Sequence, residues 1–117
     1  MREANKTEKE AFNELVYEVV RLVPYGRVTS YGAIARAIGY PNLSRMVGAA
    51  MGACGMSSET VPAHRVVNAS GYLTGKDSFG VAGEMQRLLE EEGIVVRNDK
   101  IQNFRKLFRN PIDEIGD

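Results

Sequence analysis

The sequence predicts a mainly α-helical domain with short β-strands, organised around a helix-turn-helix pair. Three observations carry that prediction. Apolar residues recur at three-and-four spacing between Phe12 and Val23, two short helices joined by a brief turn are signalled between Ser30 and Ala53, and only short extended runs separate the helices. The length of 117 residues suits one domain, and a hydrophobic content of 44% is enough for a core of ordinary size.

The first helix is signalled by Phe12, Leu15, Val16, Val19, Val20 and Val23 on one face. Thr7 and Glu10 have capping-box spacing at its start, and Pro24 with Gly26 stops it. After the short extended link Val28-Thr29, Ser30 caps a second helix, Tyr31 to Ile38, closed by Gly39. Tyr40-Pro41-Asn42 is a tight turn, with Asn42 as cap of a third helix from Leu43 to about Ala53. A loop follows at Gly55 to Thr60, then an extended run from Pro62 to Asn68 and a turn at Ala69-Ser70-Gly71. Gly75 to Gly83 reads as a flexible, glycine-containing stretch. Glu84 to Glu92 is helical, with Met85, Leu88 and Leu89 inward and Gly93 as its stop. Ile94-Val95-Val96 is a short strand. The core is expected over about 8–97, with the tail of 98–117 peripheral.

Composition narrows the function classes. No apolar run approaches the roughly 20 residues needed to cross a bilayer. The opening Met1-Arg2-Glu3-Ala4-Asn5-Lys6 is too charged to begin a signal peptide. Cys54 is the single cysteine, which suits a reducing cytoplasm, and with one histidine it offers no zinc spacing. A soluble, cytoplasmic protein without metal or cofactor is expected, with no membrane partner. Formal net charge is zero, but its distribution is uneven. Between Arg21 and Ser70 stand Arg21, Arg27, Arg36, Arg45 and Arg65 against the single acid Glu59. Phosphate binding needs a local positive patch rather than a large total charge.

The third helix is the most unusual element. Leu43, Met46, Val47, Ala50, Met51 and Cys54 share a face that should pack on the core. The opposite face holds Arg45, Gly48, Ala49 and Gly52, one long side chain among almost none. Glycine within a helix costs about 1 kcal/mol relative to alanine. Two of them imply either close approach to a large surface such as a DNA groove, or tight packing of another helix.

Four segments then fall in a telling order: Pro24-Tyr25-Gly26-Arg27-Val28-Thr29-Ser30-Tyr31-Gly32, Ser44-Arg45-Met46-Val47-Gly48-Ala49-Ala50-Met51, Pro62-Ala63-His64-Arg65-Val66-Val67 and Glu91-Glu92-Gly93. Together they resemble the O6-alkylguanine-DNA alkyltransferases, and the resemblance runs from about Phe12 to Ile94. In that family a cysteine within Pro-Cys-His-Arg-Val accepts the alkyl group of a damaged guanine. Here the position is Ala63, whose methyl cannot serve as a nucleophile. The amino-terminal domain of full-length alkyltransferases has no counterpart in the sequence. The chain is thus similar to the alkyltransferase-like proteins.

The resemblance implies a winged-helix-like domain and a non-enzymatic sensor of O6-alkylguanine in double-stranded DNA. Inspecting a base edge requires taking the base out of the stack. The family does so with a helix in the minor groove, an arginine filling the gap and a tyrosine turning the backbone; Arg45 and Tyr31 match these. DNA contact is implied for Tyr31, Arg45, Gly48, Ala49 and Gly52. The lesion pocket is implied between Tyr31, Ala63, Val66 and the 75–83 stretch. His64 and Glu92 match the pair that activates the family's cysteine, and here they should survive as scaffold. Arg65 should anchor its own loop through a carboxylate or backbone carbonyls. Many alkyltransferase-like relatives carry tryptophan where Ala63 stands, so a roomier site is expected. A monomer handing damaged DNA to nucleotide excision repair proteins is the implied partner scheme.

Two other readings stay open on the residues alone. Cys54 as a relocated acceptor would make the protein an enzyme, although it falls on the inward helix face. A sequence-specific regulator would use the same helix pair, yet major-groove readout needs several polar side chains and this face offers Arg45.

Overall fold

In the computed structural model, residues 7–54 and 61–115 are described. Helix α1 (Glu8–Val20) starts with the capping box: Glu10 N donates to Thr7 Oγ1 and Thr7 N to Glu10 Oε1, each at 3.0 Å. Its Phe12, Val16, Val19 and Val20 are buried. Strand β1 (Thr29–Ser30) leads directly into α2 (Tyr31–Ala37), capped by Ser30 Oγ accepting from Ala33 N at 3.1 Å. Gly39, at φ +92°, turns the chain in a conformation that side chains resist. Helix α3 (Ser44–Cys54) then packs on α2 and α1.

A two-residue ladder joins the halves of the core. Strand β1 pairs in parallel with β2 (Val66–Val67), Thr29 opposite Val66 and Ser30 opposite Val67. Successive strand residues point to opposite faces. Val66 accordingly packs with Phe12, Val16, Ile34, Val47 and Met51, whereas Val67 packs with Val28, Leu73, Met85, Leu89 and Ile101. The ladder is short, yet both valines are fully buried.

Beyond β2 come a 3-10 turn at Lys76–Phe79, α4 (Glu84–Glu91), the antiparallel pair β3 (Val96–Arg97) and β4 (Lys100–Ile101), α5 (Phe104–Leu107) and α6 (Pro111–Ile115).

Four expectations need correction. The segment after residue 97 is not peripheral: Ile101 is 1% exposed, and Phe104 and Leu107 pack on the second cluster. Val28 N donates to Leu107 O at 3.0 Å, and Arg109 N donates to Val28 O at 2.8 Å. Leucine, isoleucine and phenylalanine spaced among charges thus close the core. Met46 faces outward at 42% exposure, because the core face of α3 is filled by Val47, Ala50, Met51 and Cys54. The run from Pro62 is extended from Val66 on; Ala63–Arg65 form a 3-10 turn. The 76–79 part of the glycine-containing stretch is likewise a 3-10 turn. The expected loop Gly55 to Thr60 lies outside the described residues. Among the described residues no helix is long and apolar enough to cross a membrane.

Candidate nucleic-acid interface

The β1–β2 ladder decides where the site lies. Tyr31 opens α2 just after β1, and Ala63 opens the 3-10 turn just before β2, so parallel pairing brings them to one seam. A cavity there is lined by Tyr31, Gly48, Met51, Gly52, Ala63 and Val66 on one side. Gly75, Ser78, Phe79 and Met85 close it from the other. The expected walls Tyr31, Ala63 and Val66 therefore meet, with the 75–83 stretch as lid.

In this structure the cavity is small. The cavity measures about 30 Å³, room for little more than water. The lid sits close: a Cβ on Gly75 would lie 2.8 Å from the Tyr31 hydroxyl. A side chain at this position would require the lid or the Tyr31 ring to shift.

The bare flank of α3 has an observed use. A Cβ on Gly48 would lie 4.0 Å from Tyr31 Cδ1, and one on Gly52 would lie 3.6 Å from Ser78 Oγ. The glycines thus border the Tyr31 ring, at the start of α2, and the lid. Arg45, Ala49 and Gly52 are exposed, whereas Gly48 is half-buried. Arg45 stands at the first turn of α3 with no ion pair or hydrogen bond among the described residues.

Behind the cavity, Glu92 gathers a dense set of donors. Its Oε1 accepts from Gly26 N at 2.7 Å, and its Oε2 from His64 Nε2 at 2.7 Å and Arg65 Nη2 at 2.9 Å. Arg65 also donates to Val23 O at 2.9 Å and stands 5.7 Å from the centre of the Tyr25 ring. The side chains of Glu92, His64 and Arg65 are 5, 13 and 15% exposed. Burial alone would raise the carboxyl's pKa, but the Arg65, Gly26 and His64 donors together hold it below the usual carboxylate range. A charged Glu92 fixes His64 with Nε2 as donor, and both anchors expected for Arg65 are present. The set ties the Ala63 turn to the chain before β1 and the end of α4.

Cys54 is 2% exposed and does not line the cavity. Its Sγ donates to Met51 O at 3.2 Å, and burial pushes the thiol's pKa up despite its backbone hydrogen bond. A nucleophilic cysteine needs the opposite setting.

The model of the 6-O-methylguanine DNA methyltransferase DNA-binding domain matches residues 11–94. The chain belongs to that family. It is 37% identical over 95 residues to "Alkyltransferase-like protein 1" of Schizosaccharomyces pombe, spanning 80% of this chain and 86% of that protein. The crystal structure of that relative "in complex with damaged DNA containing O6-carboxymethylguanine" superposes with TM-score 0.71 at 35% identity, covering 93% of this chain and 98% of the other. The "DNA base-flipping protein" of Thermus thermophilus is 55% identical over 60 residues, 51% of this chain and 39% of that protein. The Mycobacterium tuberculosis O6-methylguanine methyltransferase structure matches with TM-score 0.55 at 38% identity, over 77% of this chain and 51% of the other. The chain thus spans most of the alkyltransferase-like relative and about half or less of the other two.

Proposed function

We propose that this family member is a non-enzymatic sensor of O6-alkylguanine. It binds duplex DNA along α3, turns the modified base into the seam between Tyr31, Ala63 and Val66, and leaves the adduct in place. The observation that carries this reading is Ala63: a methyl group faces the cavity beside an intact His64–Glu92 pair. A methyl has no proton to lose and no lone pair to attack with. The buried, raised thiol of Cys54 supports the same conclusion.

Each flanking residue has a part. Arg45 enters the gap left by the extruded base, since a planar guanidinium stacks on neighbouring bases and donates to the orphaned partner. Gly48, Ala49 and Gly52 let the α3 backbone approach the groove, and Tyr31 turns the strand. A purine cannot enter a space of about 30 Å³, so the 75–83 lid lifts on binding. The protein acts as a cytoplasmic monomer, and the flipped, bent duplex is what nucleotide excision repair proteins receive. The relative bound to DNA containing O6-carboxymethylguanine supports the lesion class.

Weighing the intact protein after incubation with O6-methylguanine duplex tests the absence of chemistry. An unchanged mass in protein that has bound the DNA is expected. A mass gain of one methyl group that disappears in Cys54→Ser would overturn it.

A further inference from the structure

We infer that the β3–β4 ribbon, with Tyr72 beside it, is a second contact surface for the DNA sugar-phosphate backbone, separate from α3. Arg97 and Lys100 are partners across the ribbon. Their neighbours Val96 and Ile101 are 6% and 1% exposed, so strand alternation turns Arg97 and Lys100 outward together. Like charges placed directly opposite destabilise a ribbon. Among the described residues neither is paired with a carboxylate: Asp99 is taken by Lys76 at 2.6 Å, and Glu114 by Arg109 at 2.7 Å. Arg105 and Lys106 on α5 are also exposed, and none of these four cations has an ion pair among the described residues. A chain of zero formal net charge thus concentrates uncompensated positive charge on one substructure.

An aromatic completes the surface. Tyr72 forms a bridge with Lys100, is 41% exposed and has Lys100 Nζ 5.3 Å from its ring centre. A phenol and two cations in a row match a polyanionic strand, to which each contributes donors. The surface is also continuous with the cavity: Leu73 N donates to Asp99 O at 2.8 Å, and Gly75 meets Tyr31 two residues later. The family model's match ends at residue 94, just before the ribbon.

The inference rests on the proposed reading that duplex DNA is the partner. The test is the double variant Arg97→Gln, Lys100→Gln, titrated with undamaged and O6-methylguanine duplexes across a range of salt. Both affinities should fall by the same factor, leaving the lesion preference intact. The log-log salt slope should become shallower by about 1.8, so the variant loses about tenfold less affinity than wild type between about 50 and about 200 mM salt. Affinities and slopes equal to wild type would overturn the inference. If the double variant melts lower than wild type, Lys100→Gln alone decides, with a slope change of about 0.9 expected and none contradicting. A wild type without lesion preference would sink the sensor reading by itself, while the slope on undamaged duplex would still judge the ribbon.

Discussion

Arg65 meets Glu92 side-on, its Nε reaching both carboxylate oxygens at 3.0 and 3.1 Å while Nη2 donates to Oε2 at 2.9 Å. This contact, with His64 on the same carboxylate, holds the turn that presents Ala63. Glu92→Gln keeps the shape and removes the charge, leaving Arg65 half-partnered in a site of low exposure. Loss of about 3 kcal/mol is expected in urea unfolding. A loss under about 1 kcal/mol would show that the network does not anchor the turn.

The same carboxylate gives a pH dependence. Its pKa is lowered in the fold, so the unfolded chain binds its proton more readily than the folded one. Its contribution to stability is complete above the unfolded value of about 4.3 and drains away as pH falls through the lower folded value. Unfolding free energy measured from neutral pH down to about pH 3 should decline in that window. The Glu92→Gln variant should show a shallower acid decline than wild type. Equal slopes would contradict the assignment.

Much of this arrangement was legible in the sequence. Thr7 and Glu10 declared the first cap, and Ser30 the second, because capping depends on residues three apart. The walls Tyr31, Ala63 and Val66 followed from matching segments. What stayed hidden were contacts between residues far apart in the chain. The lining of the cavity by Ser78 and Phe79 depends on how the lid folds back on α3, which no local pattern encodes. The closing of the core by Ile101 and Phe104 was missed for another reason: apolar residues are sparse there and charges frequent. The signal was present in Val96-Arg97 and Lys100-Ile101, an alternation around Asn98-Asp99, whose positive φ angles make a two-residue hairpin turn. The same alternation places Arg97 and Lys100 on the outer face of the ribbon.

The helix glycines separate stability from function. In Gly52→Ala the new methyl would sit at ordinary contact distance from Ser78 Oγ, 3.6 Å. Helix propensity should then raise stability by about 0.5–1 kcal/mol. Affinity for lesion-bearing DNA should fall nonetheless, because the backbone can no longer approach as closely. Thermal melting and a DNA titration on the same variant check both halves. A variant that is more stable and binds as well as wild type would remove Gly52 from the interface.

Lid and tyrosine should be coupled. Gly75→Ala places a methyl against the Tyr31 hydroxyl, so the lid or the Tyr31 ring must shift, whereas Tyr31→Phe removes the clashing atom. Adding Tyr31→Phe to Gly75→Ala should restore part of the lost stability, with a coupling of about 1 kcal/mol in a double-mutant cycle. Strict additivity would mean that the lid does not rest on Tyr31.

Arg45 should matter to binding alone. Exposed on α3 and without an ion pair among the described residues, it can be replaced by alanine with a change in stability within about 0.5 kcal/mol. Lesion affinity should drop by about 1–3 kcal/mol, the scale of a stacked or bidentate arginine. Unchanged affinity would exclude it from the gap left by the base.

The central claim is a cavity that accepts a modified guanine and cannot react with it, and one titration tests it most directly. Wild-type protein is titrated with O6-methylguanine duplex and with its undamaged twin at one fixed salt concentration. The account predicts markedly tighter binding to the lesion, with all of the O6-methylguanine recovered intact from the complex. Equal affinity for the two duplexes, or recovery of unmodified guanine from the bound DNA, would contradict it.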